Sequence, residues 1–329
     1  MDWKRGAFVG WKTGPLAAGL AALALGACAR ADAPPASAPI HVECRGAASA
    51  SPTVVLEAGL FGTATDFDQL APELAPGGRV CAYDRKGLGR SPPKTDGEDV
   101  TAVARELKTL LDGLGETRPV ILVGHSNGAL YIEAFAEQWP QRVAGLVYIN
   151  GVNSDDLDYP ALMKDLDKER SLARLTVVAA HLGLAPLVAD WLTARSGVHG
   201  QAALDKRKAL GNLYHLRTAR DEDLAIIPGL TAVRGHEATL ADIPLAVIVG
   251  SSTPHDETSK AWRAAGLAAV NRARSSWMLD APGVTHASPL AKDRHYVLAA
   301  VSWLRTHPVV GHRAELTSAE AEADGFDVH

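Results

Sequence analysis

Val120-Ile121-Leu122-Val123-Gly124-His125-Ser126-Asn127-Gly128-Ala129 is an apolar run that closes in a G-x-S-x-G pattern and passes at once into the helical stretch Leu130–Trp139. A buried strand must turn there sharply into a helix. Ser126, at the apex, is forced into a strained backbone conformation that only small neighbours permit, and Gly124 and Gly128 supply the room. Its hydroxyl then projects from the carboxyl end of a sheet, ahead of a helix N-terminus. A G-x-S-x-G by itself is common; its place between a fully apolar strand and a helix sets this one apart from a turn with an incidental serine.

Outward from this turn, short apolar strands alternate with helical segments. The strands read as His41–Cys44, Thr53–Leu56, Val80–Tyr83, Val120–Val123, Ala144–Ile149, Leu245–Val249 and Ser276–Leu279. The helices read as Val100–Leu114, Leu130–Trp139, Ser259–Val270 and Arg294–Leu304. In the first helix Val103, Leu107, Leu110, Leu111 and Leu114 recur at three- and four-residue steps, so one face can pack on a sheet. The alternation implies an α/β fold, a mostly parallel sheet with helices on both faces.

The chain divides into a core, 40–151 and 243–305, and an insertion, 152–242, where the alternation gives way to helical sequence. Before the core come 1–28 and an Ala- and Pro-rich tether, 29–39. After it, 306–329 is polar and acidic and reads as a disordered tail. Lys4, Arg5 and Lys12 flank the apolar run Leu16–Ala27, which has signal-peptide length and is short for a membrane span. Leu25-Gly26-Ala27-Cys28 resembles a bacterial lipoprotein processing box with Cys28 as the lipidated residue; ordinary cleavage at Ala27-Cys28-Ala29 is the alternative. Both imply export, to the periplasm or to a lipid-anchored place in the cell envelope. With Cys28 set aside, two of the three cysteines remain, Cys44 and Cys81. An even pair in an oxidising compartment is a disulfide candidate, two buried thiols being the alternative.

The 47% hydrophobic and 22% charged residues are ordinary for a globular chain, and a net charge of −5 gives no basic face for nucleic acid. Neither zinc-like Cys/His spacing nor a G-x-x-x-x-G-K loop occurs, so no metal or cofactor is expected.

Four motifs in a fixed order resemble the α/β-hydrolases over roughly Ile40 to Leu304. Besides the serine turn they are Val54-Val55-Leu56-Glu57-Ala58-Gly59-Leu60-Phe61-Gly62, Tyr83-Asp84-Arg85-Lys86-Gly87-Leu88-Gly89-Arg90-Ser91, and Val284-Thr285-His286 followed by Pro289 and Asp293. The resemblance implies a sheet of seven or eight strands and a helical lid over 152–242. It makes Ser126 the nucleophile and His286 the base, with His295 a helix-surface alternative and His125 a wall residue. The acid is expected after strand Leu245–Val249, at Asp256, with Glu257 one residue on; Asp155 and Asp156, after the earlier strand, are alternatives. The oxyanion donors are expected to be the backbone amides of Leu60 and Asn127. Asp84 and Arg85 are expected to hold their turn. The usual His-Gly of the oxyanion turn is Ala58-Gly59 here, a tolerable departure because the donor is a backbone N–H.

In the family's strand order, His41–Cys44 and Val80–Tyr83 are antiparallel neighbours, which brings Cys44 and Cys81 together. In the insertion, Leu182, Leu184, Leu187, Val188 and Trp191 form an apolar face expected to pack on the core, a membrane-facing surface being the alternative. Arg217 and Arg220 are candidates for gripping an anionic substrate. The function expected is an exported serine hydrolase acting on a small or medium, apolar carboxylic ester through an acyl-enzyme. A non-hydrolytic ligand-binding protein or an acyltransferase of the same fold is the alternative. The expected partner is that small molecule, with membrane contact only through the lipid anchor.

Overall fold

The computed structural model describes residues 38–306 apart from 96, 98 and 252–255. The expected signal segment with Cys28, the tether up to residue 37 and the tail beyond Thr306 lie outside the described residues. Strands β1 (Val42–Arg45), β2 (Val54–Glu57), β3 (Val80–Tyr83), β4 (Val120–His125), β5 (Val143–Ile149), β6 (Leu245–Ser251) and β7 (Ser276–Pro282) form one sheet of order β1-β3-β2-β4-β5-β6-β7. The edge pair β1–β3 is antiparallel and every other pairing is parallel. The sheet thus has the smaller of the two expected strand counts.

Around it run α1 (Leu70–Leu74), α2 (Val100–Gly113), α3 (Asn127–Gln138), α9 (Glu257–Arg272) and α10 (His295–Thr306). Alternate strand residues face opposite sides, so one run of sequence serves two cores. Val55, Leu122, Leu146, Val247 and Met278 are buried with residues of α2, α3 and α9. Val54, Leu56, Ile121, Val123 and Ile149 are buried with residues of α1 and α10. Helix α2 begins where Asp99 Oδ1 accepts the Ala102 N–H at 2.8 Å, and Val103, Leu107, Leu110 and Leu111 are its buried stripe, as their spacing requires. The five-residue α1 is too short to show a period in sequence.

Cys44 and Cys81 face each other in the β1–β3 register, with Cα atoms 4.1 Å apart, and form a disulfide. The pairing expected from the strand order is the one present.

The insertion is helical throughout: α4 (Pro160–His181), α5 (Ala185–Ser196), α6 (Gly200–Leu210), α7 (Leu213–Val233) and the short α8 (Glu237–Leu240). Ala173, Val177, Ala189, Leu210, Leu216 and Ala219 are buried with Phe61 and Leu88, the insertion's apolar contact with the two turns after β2 and β3. The expected apolar face does not pack there. Leu182 is 72% exposed, Leu187 65% and Trp191 45%; of that set only Val188 packs inward. Helix α5 is apolar on nearly every side, so spacing could not tell its two faces apart, and the small Ala189 is the residue that is buried. No described helix is long and apolar enough to cross a membrane.

Candidate functional site

Strand β4 delivers the chain to Ser126, whose backbone sits at φ +54° and ψ −127°. A non-glycine residue there carries strain of about 1–3 kcal/mol and persists only where its surroundings over-determine it. They do. The Ser126 N–H donates to Ile149 O, and Ser126 O accepts from the amides of Ala129 and Val152, each at 3.0 Å. A Cβ on Gly124 would stand 2.6 Å from the Ala129 backbone, and one on Gly128 2.5 Å from Glu57 O. Both glycines are therefore required, as the motif implied. The serine is 5% exposed, and among the described residues nothing hydrogen-bonds its hydroxyl.

The turn after β2 lies directly against it. A Cβ on Gly59 would come within 2.8 Å of Ser126 Cβ. The Gly62 N–H donates to Gly59 O at 3.0 Å, and Phe61 is held at φ +56°. Among the described residues no acceptor meets the amides of Leu60 and Asn127, the second of which opens α3. Two free N–H groups thus flank the serine from a turn and from a helix N-terminus, the arrangement an oxyanion requires.

Asp84 and Arg85 hold this region together. Asp84 accepts the amides of Ala64 at 2.7 Å and Arg90 at 2.8 Å. Arg85 is fully buried between the carboxylates of Glu57 (2.7 Å) and Glu222 (2.8 Å). Burial opposes its charge, but Glu222 and Glu57 outweigh burial and hold its pKa well above the usual value. Desolvation raises the Glu57 pKa against the pull of Arg85, and Tyr83 donates its hydroxyl to the same carboxylate.

His286 follows β7 and is fixed through its main chain. Its carbonyl accepts from His125 Nε2 at 2.9 Å and from Asn150 Nδ2 at 3.0 Å. A carbonyl only accepts, so His125 carries its proton on Nε2. Desolvation pushes the His125 pKa down to about 4, which keeps that ring neutral. Asn150, at φ +42°, accepts the Gly250 N–H at 2.6 Å and so links the ends of β5 and β6 to the histidine. The rings of His125 and His286 lie 4.8 Å apart, which puts the histidine beside the residue preceding the serine. His286 is exposed. Desolvation by the surrounding protein, with the neighbouring His125, lowers its pKa.

The carboxylates are more dispersed. Asp256 is exposed and caps α9, its Oδ1 accepting the Ser259 N–H at 2.7 Å. Glu257 pairs with Lys260 at 2.9 Å, and Asp155 with Arg272 at 2.6 Å. Asp156 is buried in a capping box with Asn153, and desolvation raises its pKa well above the carboxylate range. Among the described residues no carboxylate hydrogen-bonds the His286 ring; the one whose field raises its pKa is Asp165 on α4. Of the remaining candidates, His295 lies at the start of α10 with its ring tilted against that of Tyr296, centroids 4.1 Å apart. Arg217 is exposed against His181, and Arg220 pairs with Asp221 at 2.6 Å. Sequence reading missed Asn150 and gave His125 too small a part. Their signal, polar residues at the ends of two buried adjacent strands, was available. Among the described residues no cluster of His, Cys, Asp or Glu is arranged to hold a metal ion.

A family model for the alpha/beta hydrolase fold matches residues 52–184, from the first residues before β2 into the insertion. "Putative carbamate hydrolase RutD" of Caulobacter sp. (strain K31) is 36% identical over 155 residues, 46% of this chain and 56% of its own length. The namesake from Variovorax paradoxus (strain S110) is 40% identical over 114 residues, 34% of this chain and 42% of its own. The chain thus spans about half the length of these curated relatives. A thermophilic esterase from Thermogutta terrifontis superposes with a TM-score of 0.57 at 22% identity, over 81% of this chain and 93% of that one. The serine at its strained turn, the sheet order and these likenesses agree: the chain has the α/β-hydrolase fold.

Proposed function

We propose that the protein is an exported serine hydrolase that cleaves a small or medium, apolar carboxylic ester through an acyl-enzyme on Ser126. The observation that carries the proposal is Ser126 itself, a non-glycine residue at φ +54° set beside the amides of Leu60 and Asn127; among the described residues nothing bonds its hydroxyl or accepts those amides. A serine with only a packing duty gains nothing from such strain.

In the proposed reaction His286, neutral at the working pH, takes the proton of Ser126 as its oxygen attacks the ester carbonyl. The developing oxyanion is received by the N–H groups of Leu60 and Asn127; each such donor contributes about 3 kcal/mol to transition-state stabilisation. The protonated His286 then gives its proton to the departing alcohol. Water, activated by the same histidine, releases the acid from Ser126. Asp256 is the proposed acid that fixes the imidazole, from the loop that follows β6. The inserted helices serve as a lid that excludes water and selects substrate. The Cys44–Cys81 bridge suits a protein of an oxidising compartment, in keeping with the export signal and a lipid anchor on Cys28.

A fluorophosphonate probe tests the reading, because covalent labelling requires an activated serine. Labelling at Ser126, and turnover of p-nitrophenyl esters with a preference along a graded chain-length series, are the expected results. A labelled protein that turns over no ester would redirect the search to the carbamates named for its relatives, or to acyl transfer. A folded protein that resists the probe would be a binding protein on a hydrolase scaffold.

A further inference from the structure

We propose that Arg85 is a positioning residue for the oxyanion turn, and that Glu222 of the inserted helix α7 ties the insertion to that turn through it. The inference rests on the serine-hydrolase reading above. The guanidinium is 1% exposed, lies over the Tyr131 ring at 4.9 Å, and makes its hydrogen bonds to Glu57, to the turn after β2 and to Glu222. Nη1 donates to Glu57 Oε1 at 2.7 Å and to Ala58 O at 2.6 Å. Nη2 donates to Gly59 O at 3.1 Å and to Glu222 Oε2 at 2.8 Å, while Nε donates to Glu222 Oε1 at 2.9 Å. Two of these acceptors are main-chain carbonyls of the turn that lies against Ser126.

The Gly59 carbonyl shares its peptide unit with the Leu60 N–H. Among the described residues every peptide bond is trans, so in this planar unit the C=O and N–H point in opposite directions. Fixing the carbonyl fixes the aim of the N–H. Gly62 donates to the same carbonyl, giving it two donors, while among the described residues the Leu60 N–H has no acceptor. Rotation of this peptide plane would strand both donors. A lysine cannot replace the fork, since one ammonium cannot reach two carbonyls and two carboxylates in these directions.

The insertion supplies both outer anchors. Glu222, fully buried on α7, meets Arg85 in bidentate fashion, the geometry that confers direction as well as strength. Lys206 of α6 donates to Phe61 O at 3.3 Å and pairs with Asp66 at 2.6 Å. Phe61, at φ +56°, is thus held by Lys206 and Gly59 by Arg85. A buried ion pair of this kind adds little net stability over apolar packing. What it adds here is orientation of a peptide unit.

The test uses kcat and KM for p-nitrophenyl acetate together with the inhibition constant of phenylboronic acid, whose tetrahedral serine adduct reports the oxyanion site. Wild-type protein that neither labels with fluorophosphonate nor turns over any ester defeats the serine-hydrolase reading before any variant is made. With an active wild type, Arg85→Lys is expected to lower kcat about 100-fold, the scale of losing one oxyanion donor. KM should stay within about threefold, and the boronate should weaken in step with kcat. A folded Arg85→Lys protein with kcat within about threefold of wild type overturns the proposal, as does a rise in KM alone or a fall in kcat with boronate affinity intact. If Arg85→Lys does not fold, Glu222→Gln decides, since it keeps the volume and one acceptor. A kcat about tenfold lower at unchanged KM supports the coupling, and an unchanged kcat overturns it.

Discussion

The serine and the histidine are held by different means. Ser126 is fixed by its own backbone, wedged by Gly59, Gly124 and Gly128, so that no rotation of a side chain nearby can move its Cα. His286 is fixed by two side chains, His125 and Asn150, that grip its carbonyl while the residue itself stays exposed. A wedge of glycines leaves a signature in sequence; a grip by side chains from distant strands does not. The contrast also predicts that the serine half fails all at once and the histidine half fails by degrees.

The sharpest test removes the serine. Ser126→Ala is expected to cut ester turnover by about 10⁴-fold or more and abolish probe labelling, with circular dichroism and melting unchanged. Turnover near wild type in the folded variant would end its assignment as nucleophile. His286→Ala should match it, and the double variant should add little, because the pair acts as one unit.

Next in size is the acid, where the two halves meet. Asparagine caps a helix as well as aspartate does, so Asp256→Asn should leave α9 and the melting temperature undisturbed. If Asp256 orients the imidazole, kcat falls by about 10³–10⁴-fold through the wrong tautomer. A silent Asp256→Asn beside a crippled Asp155→Asn would move the acid to the end of β5, and the Asp155–Arg272 ion pair would then have to open during turnover.

The difference between the two halves matches what could be read in advance. Six of the seven strands were legible as apolar runs bounded by turns, β1 with its Val-Glu-Cys-Arg being the exception, and the glycines around Ser126 stated the turn outright. Asn150 and His125 looked ordinary because their function depends on β4, β5 and the loop after β7 meeting in space, which one-dimensional spacing does not record. The outward Leu187 and Trp191 were misread because α5 is apolar on nearly every side, and Leu182 because it caps the end of α4 and does not share the α5 face. Arg85 was assigned to its own turn, since nothing in sequence announces that Glu222, more than a hundred residues on, completes its shell.

Loosening the histidine's grip should then give a graded loss. Asn150→Gly removes the amide that holds His286 O while allowing the φ of +42°. The expected result is a kcat about 10- to 30-fold lower with KM little changed, measured on the same esters. A loss as large as that of Ser126→Ala would mean that the grip is as rigid as the wedge. The pH profile adds a second reading. His286 must be neutral to act as base, and desolvation lowers its pKa from the ordinary 6.5. The acid limb of kcat/KM for the free enzyme is therefore expected below pH 6.5, with activity retained as pH falls through 6.5 and lost further down. A limb at or above 6.5 would show that pairing of the ring with the proposed acid outweighs desolvation in solution.

The smallest effect on activity is expected at the sheet edge. Cys44 is exposed on β1 and Cys81 buried on β3, so reductant reaches the bridge from the β1 side. The cysteines are 37 residues apart, and the chain-entropy model assigns such a closure about 3–4 kcal/mol of stability. Strand β3 ends just before Asp84 and Arg85, so a disturbed β3 could in principle reach the oxyanion turn. It is held on its other side, however, by parallel pairing with β2 from Val80 to Ala82, and its side chains are buried on both faces. Reduction, or Cys44→Ser with Cys81→Ser, should therefore lower the urea midpoint in line with about 3–4 kcal/mol and leave kcat at 25 °C within about twofold. An unchanged midpoint would show that the denatured chain gains no freedom from losing the bridge. A large fall in kcat at full folding would show instead that the bridge, through β3, holds Arg85 in register.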